Sequence, residues 1–268
     1  MTAICFHLGI LIRLKMIKNF LKYIKPKSKI KLIYFMEYIF LIFLNFFKLI
    51  TKKIFTLIPY KFYENLLPYS LDFYQFKKLK NINKFPKREN LWDFAMDKIG
   101  SQNAISFIEF GTFEGYSIKY FSKINNNPES KFVGCDTFEG MPEKWNRIPK
   151  GMWNVGGKFP EIDDKRVKFI KGKFQNTYTE IEKNIDEKNI LLFHFDADLY
   201  SSTLFLLTKL DKYKEYYAIF DEFTGHESRA VYNYCQSYDA DIEFFGKTIG
   251  YSNTPHRVFC KIKFKNTN

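Results

Sequence analysis

Two apolar runs in this chain end in paired acids. Asn189 to Ser202 reads NILLFHFDADLYSS, so Asp196 and Asp198 close a stretch with the character of a buried strand; a second run, Tyr216 to Asp221, closes on Asp221 and Glu222. Carboxylates delivered by two strand ends to one sheet edge offer the hard oxygen ligands that Mg2+ takes, together with a proton acceptor. Chemistry is expected at that edge.

A second group lies upstream. Phe107 to Ser117 runs from an apolar strand into a turn carrying Glu109, Gly111, Thr112, Gly115 and Ser117. Glycine at such a junction lets a ligand approach the backbone, and the next helix offers N–H groups to its anionic parts. The spacing is not G-x-G-x-x-G, which excludes the dinucleotide fingerprint. Roughly 25 residues on, Val133-Gly-Cys-Asp136 ends the next strand, where an acid is placed to accept hydrogen bonds from ribose hydroxyls. Turn and acid together describe a nucleoside pocket; a plain turn at Gly111 and a helix cap at Asp136 are the alternatives.

The elements that must position these residues follow a βα rhythm. Strands are expected at Ser106–Phe110, Lys131–Asp136, Val167–Ile170, Ile190–Asp196, Tyr216–Asp221, Ile242–Phe245 and Arg257–Phe264, with helix-compatible segments between most of them. Short apolar runs separated by helices predict an α/β, doubly wound, mostly parallel seven-stranded sheet covered on both faces. Residues 77–90, KKLKNINKFPKREN, read as a linker, dividing the chain into a helical extension over 1–85 and a catalytic domain over 86–268.

Charge separates the same two parts. The whole chain of 268 residues carries +13. Over Met1 to Asn90, however, 18 Lys and Arg face only four acids (Glu37, Glu64, Asp72 and Glu89), which leaves the remainder close to neutral. A basic, apolar-rich extension suggests attraction to an acidic partner or an anionic membrane surface, and no nucleic-acid module accompanies it. Leu32 to Ile50 is mostly apolar, but Glu37, Asn45 and Lys48 interrupt it and fall on one stripe of a helix, so it reads as interfacial or protein-packed rather than spanning. No secretory signal is evident after Met1, and Met16 offers a second start. Cys5, Cys135, Cys235 and Cys260 show no metal spacing and read as free thiols of a reducing cytoplasm. Localisation is therefore read as cytoplasmic, with peripheral contact at the inner face of the membrane as the expected role of the extension.

Taken in order, Glu109-x-Gly111-x-x-x-Gly115-x-Ser117, Asp136-Thr-Phe-Glu-Gly-Met-Pro-Glu143, Gly172-x-Phe174-x-x-Thr177, His194-x-Asp196-x-Asp198-Leu-Tyr200-x-Ser202-Thr203 and Phe220-Asp221-Glu222 resemble the macrocin O-methyltransferase family over about Asn90 to the C-terminus. That family comprises class I, Rossmann-like, metal-dependent enzymes that methylate sugar hydroxyls. The resemblance implies S-adenosyl-L-methionine and Mg2+ as cofactors, a sugar or glycan acceptor, no nucleic acid and a homo-oligomer. It further implies that Glu109, Gly111, Thr112, Gly115 and Ser117 hold the methionine end of the cofactor, Asp136 and Thr137 the ribose, and Gly172 and Phe174 the adenine. Asp196, Asp221 and Glu222 would ligate Mg2+, Asp196 and Asp198 would be catalytic, and Asp198 would be the general base. The chain departs from the family pattern at Ser201 and Glu222. His194 is read either as support for the acids or as a core histidine, and His226 as pocket wall or exposed loop. Trp145 to Lys158 is expected to cover the site, with Tyr200 beside it. A metal-dependent glycosyltransferase using Asp196-Ala-Asp198, a methyltransferase acting on a small aromatic hydroxyl and a non-catalytic membrane-associated module are the competing readings.

Overall fold

The computed structural model describes residues 39–47, 50, 78–145, 147–223, 225–250 and 255–264. The chain divides into two compact units, Met1–Tyr63 and Glu64–Asn268. In the first, residues 39–47 are helical, and Ile39, Phe40, Leu41, Ile42, Phe43, Phe46 and Phe47 are all exposed. No helix among the described residues is long and apolar enough to cross a membrane. Met1, Met16 and Cys5 lie outside the described residues.

The second unit is built on one sheet. Its strands are β1 (Asn83–Phe85), β2 (Ile105–Phe110), β3 (Lys131–Asp136), β4 (Val167–Lys171), β5 (Ile190–Phe195), β6 (Glu215–Phe220), β7 (Ala240–Ile249) and β8 (Pro255–Phe264). Between them run α1 (Arg88–Ile99), α2 (Tyr116–Ile124), α3 (Phe174–Lys183), α4 (Tyr200–Lys209) and α5 (His226–Ser237). The spatial order is β1-β7-β8-β6-β5-β2-β3-β4. Strands β2 to β6 are parallel, whereas β8 runs antiparallel to both β6 and β7.

Alternation along each strand explains why both faces are covered. On β2, Ile105 and Phe107 join a core with Trp92 and Met96 of α1 and Ile118 and Phe121 of α2. Ile108 and Phe110 point the other way, into a core with Tyr178 of α3, Leu206 of α4 and Val231 and Tyr234 of α5. Every β2 residue is buried, which is why the strand reads as a continuous apolar run interrupted only by Ser106 and Glu109. The result is the doubly wound, Rossmann-like α/β sheet expected from the sequence.

Two details differ from expectation. The sheet has eight strands rather than seven, because Asn83–Phe85, inside the stretch read as a linker, pairs in parallel with β7 from Gly246 to Thr248. Three residues with only Phe85 partly inside give no alternation to detect. Asn83–Phe85 also precedes the expected boundary at residues 85 and 86, so the sheet begins earlier in the chain. Cys135 and Cys260 are buried free thiols, as read.

Candidate active site

The order of the strands creates the site. From β2 the chain steps outward to β3 and β4, then returns to place β5 on the other side of β2, so the crossovers diverge between β2 and β5. Ligands of doubly wound sheets bind outside the carboxyl ends of the strands at such a switch point. A cavity of about 270 Å³ opens there, and it draws on the ends of five strands: Gly111 after β2, Asp136 and Thr137 at β3, Gly172 and Phe174 after β4, Asp196 and Asp198 after β5, and Asp221 and Glu222 after β6. Nine of the residues singled out in the sequence thus share one cavity.

Gly111 is fixed by close approach. Its φ is +95°, and a Cβ there would lie 1.9 Å from the Asp196 carbonyl oxygen. That proximity joins the nucleoside side of the pocket to the acidic side.

Asp136 organises the nucleoside side. Oδ2 accepts the Phe113 N–H and Oδ1 the Phe138 N–H, each at 2.8 Å. Both aromatic residues have positive φ, 49° and 54°, a conformation costing of order 1–3 kcal/mol for a side chain of that size. Two charge-assisted hydrogen bonds from one carboxylate offset it. Asp136 remains in the cavity lining with lone pairs to spare, next to Gly172, Phe174 and Met141, and this combination of backbone room, a flat ring and a carboxylate suits a nucleoside cofactor.

Glu109, Thr112, Gly115 and Ser117, expected to hold the methionine end of the cofactor, are not in that lining. Glu109 is fully buried; its Oε1 accepts from Ser117 Oγ and pairs with His194 Nδ1 at 2.9 Å. Trp92, Phe107 and Phe121 surround the histidine ring. His194 is a core histidine, and this polar brace lies beneath the turn rather than on its surface. Thr112 packs over Gly134, and Gly115 begins α2 in the left-handed region. Their part is to shape the turn.

The acidic side holds more charge than the sequence suggested. Asp198 stands at φ 57° in a tight turn closed by Leu199 N–H on the Ala197 carbonyl at 2.5 Å. Burial, followed by the charges of Glu222 and Asp221, pushes its carboxyl up to about 7. Burial and then Asp221 and Asp198 raise Asp196 well above the carboxylate range. Glu227 on α5, which the sequence reading missed, is wholly buried, accepts the Glu222 N–H at 3.0 Å and is raised by burial and then by Asp198 and Asp221. Each of these acids therefore holds its proton more tightly than an exposed carboxylic acid does.

The expected Mg2+ ligand set of Asp196, Asp221 and Glu222 does not form. Arg257 donates Nε to Asp221 Oδ1 at 2.6 Å and Nη2 to Oδ2 at 3.0 Å, while Glu222 Oε1 lies 2.7 Å from His256 Nε2. Among the described residues no three acid, histidine or cysteine groups are arranged to hold a metal ion. Oxygen donors are present, but two of the three already have partners within the chain. Arg257 keeps its proton more firmly than usual: burial opposes its charge, but Asp221, then Asp196 and Glu222, outweigh it. Those three acids are the three expected ligands. The antiparallel course of β8 is what brings Pro255-His256-Arg257 to the carboxyl end of β6, and recognising that return strand would have revealed the pair.

Aromatic and thioether side chains close the mouth. Trp145, Met152, Trp153 and Phe113 line the cavity, with Met152 and Trp153 among the more exposed large apolar side chains. The segment from Trp145 therefore supplies pocket wall, as expected. Tyr200 instead receives a hydrogen bond from Asn233 at 2.8 Å and stacks beneath Arg229, and the half-buried His226 meets the edge of Trp145 at 6.4 Å, outside the lining.

No family model matches the chain, and no curated protein matches it in sequence. Solved structures of similar chain course include the O-methyltransferase NovP, at 19% identity and a TM-score of 0.47, covering 66% of this chain and 79% of that one. Another is the apo form of CalS11, a TDP-rhamnose 3'-O-methyltransferase of calicheamicin biosynthesis, at 16% identity and 0.44, covering 66% and 79%. A third is an O-methyltransferase from Bacillus cereus in complex with SAH, at 14% identity and 0.43, covering 65% and 80%.

Proposed function

We propose that the chain is an S-adenosyl-L-methionine-dependent O-methyltransferase whose acceptor is a hydroxyl of a sugar or glycan. The observation that carries this reading is the single cavity in which a nucleoside-type wall, Gly111, Asp136, Gly172 and Phe174, faces the half-buried acid Asp198. When bound, the cofactor supplies an electrophilic methyl group on a sulfonium; transfer forms a C–O bond, breaks a C–S bond and releases a neutral thioether and one proton. Asp136 would accept hydrogen bonds from the ribose hydroxyls, and Gly111 and Gly172 leave room for the backbone to be approached. Asp198 would take the acceptor proton at its carboxylate, which its titration near neutral pH suits, since a general base works best with a pKa near the operating pH. Trp145 and Trp153, with ring centroids 6.1 Å apart, offer flat apolar surface to the C–H face of a sugar ring. The same surface would also stack on a small aromatic hydroxyl, the second reading.

Calorimetry tests the cofactor. S-adenosyl-L-methionine should bind, and Asp136→Ala should weaken it roughly 10- to 100-fold, since hydrogen bonds to a charged group contribute about 1.5–3 kcal/mol each. No binding, or binding of a nucleotide sugar instead, would favour the glycosyltransferase reading. Acceptor class is then decided by comparing surface glycans from cells with and without the gene by mass spectrometry, against turnover of a panel of phenols.

For the extension we infer peripheral contact with an anionic membrane. Its support is the exposed apolar helix at residues 39–47 within a strongly basic segment. Basic residues near such a surface contribute about 1 kcal/mol each, screened by salt. Fractionation should find the protein partly on membranes and release it at high salt; a protein that binds no anionic vesicles at low salt would overturn this.

A further inference from the structure

We propose that Arg257 occupies the place of a divalent cation at this site, pairing with Asp221 directly and holding Glu222 by a hydrogen bond relayed through His256, so that the pocket works without a bound metal ion. The inference rests on the methyl-transfer reading for what the site does, but the charge arrangement stands independently of it.

Three features of the geometry carry the proposal. First, Arg257 sets Nε and Nη2, one edge of its fork, on the two oxygens of Asp221, a bidentate arrangement in which guanidinium and carboxylate fit well. A metal ion taking Asp221 as ligand would have to displace that fork or share the carboxylate with it. Either puts a dication beside a fixed positive charge in a site whose side chains are 19% and 7% exposed, where screening by water is weak.

Second, the remaining nitrogen of the fork fixes the next residue. Nη1 lies 3.0 Å from His256 Nδ1. A guanidinium has only protons to give, so His256 Nδ1 accepts and the ring proton sits on Nε2, where it is donated to Glu222 Oε1 at 2.7 Å. Arg257, His256 and Glu222 thus form a directed chain in which each group donates to the next. The acid that would complete a ligand set is held by the same arginine that holds its neighbour.

Third, the arginine is anchored. Its backbone N–H donates to Thr248 Oγ1 at 3.1 Å, and β8 is zipped to β6 through the pair Phe220 and Val258 immediately beside it. The Phe223 N–H adds a hydrogen bond to the His256 carbonyl at 2.7 Å across the same strand ends. The backbone from which the Arg257 side chain reaches Asp221 is thus fixed at the sheet edge.

The test reads metal binding separately from catalysis. Wild-type protein should give the same thermal midpoint in excess Mg2+ and in EDTA, no heat on titration with MgCl2, and the same rate of methyl transfer in either buffer. Arg257→Gln should unfold at lower temperature in EDTA and recover when Mg2+ is added, because the vacated acids then form the hard-cation site that the sequence predicts. A merely structural arginine would lower the midpoint without creating that response. Arg257→Lys, which keeps the charge but not the fork, should be less stable and remain indifferent to Mg2+. A rise in the wild-type midpoint with Mg2+, saturable Mg2+ binding by calorimetry, or a loss of transfer of roughly 100-fold in EDTA would overturn the proposal. If Arg257→Gln does not fold in either buffer, the wild-type and Arg257→Lys responses decide it. Because Mg2+ binding is measured without a methyl donor, failure here is distinct from failure of the cofactor to bind.

Discussion

Asp198→Asn is expected to lose methyl transfer by roughly 100- to 10,000-fold, the usual contribution of a positioned general base, while unfolding at a higher temperature than the wild type. Both effects come from one carboxylate. It lines the cavity where, on the proposed reading, the acceptor proton leaves, and it is held there against burial and the charges of Glu222 and Asp221. A carboxyl raised to about 7 in the folded protein from about 4 when unfolded binds its proton more tightly in the native state. Its ionisation therefore costs nothing at low pH, costs progressively more as pH rises from about 4 to about 7, and stays at its full cost above that.

Asparagine keeps the shape, removes the charge and tolerates the left-handed conformation at φ 57°. The gain in stability should therefore be larger at pH 8 than at pH 5, of order 1–3 kcal/mol at the higher value. In the wild type, kcat/KM should rise with pH through about 7 as the base is freed. Denaturant unfolding at the two pH values and a pH–rate profile check both halves. An Asp198→Asn variant within tenfold of wild-type activity would remove the general base from the mechanism, and a stability gain no larger at pH 8 than at pH 5 would remove the electrostatic account of Asp198.

Gly111→Ala is expected to be the most damaging methyl group added at any of the described glycines. The added carbon would meet the Asp196 carbonyl oxygen at 1.9 Å and its carbon at 2.7 Å, with φ at +95°. Relief by separating the strands is blocked, since Asp196 N–H is bonded to the Phe110 carbonyl at 2.9 Å and Gly111 N–H to the Cys135 carbonyl at 2.8 Å. Overpacking and backbone strain each contribute about 1–3 kcal/mol, so a loss of more than about 3 kcal/mol is expected, together with loss of cofactor binding. Urea unfolding and calorimetry measure the two separately. A variant within about 1 kcal/mol of the wild type would mean that the turn and the end of β5 do not approach each other this closely.

Much of this site was legible in the sequence because its signals are local. Apolar runs of five or six residues mark strands, and the first polar residues beyond a parallel strand in a βα rhythm stand at the carboxyl edge of the sheet, so Asp136, Asp196, Asp198 and Asp221 could be placed from position alone. Gly111 was readable for the same reason. Glu109 was misplaced because a polar residue within an apolar strand looks alike from the sequence whether it faces a ligand or a buried partner. Only the packing of α2 brings Ser117 to it, and only the pairing of β2 with β5 brings His194.

What the tertiary structure alone decided is which acids are already satisfied. Parallel and antiparallel strands share the same alternation, so nothing in residues 255–264 states that β8 runs back along β6 and delivers His256 and Arg257 to the acid edge. The pairs Arg257–Asp221 and His256–Glu222 join residues 36 and 34 positions apart. The chain by itself determined that carboxylates gather at one edge of a doubly wound sheet. Whether a carboxylate there is free to take a metal ion depends on charge separation through space, which falls off over a few ångströms and is set by strand direction rather than by any local run of residues.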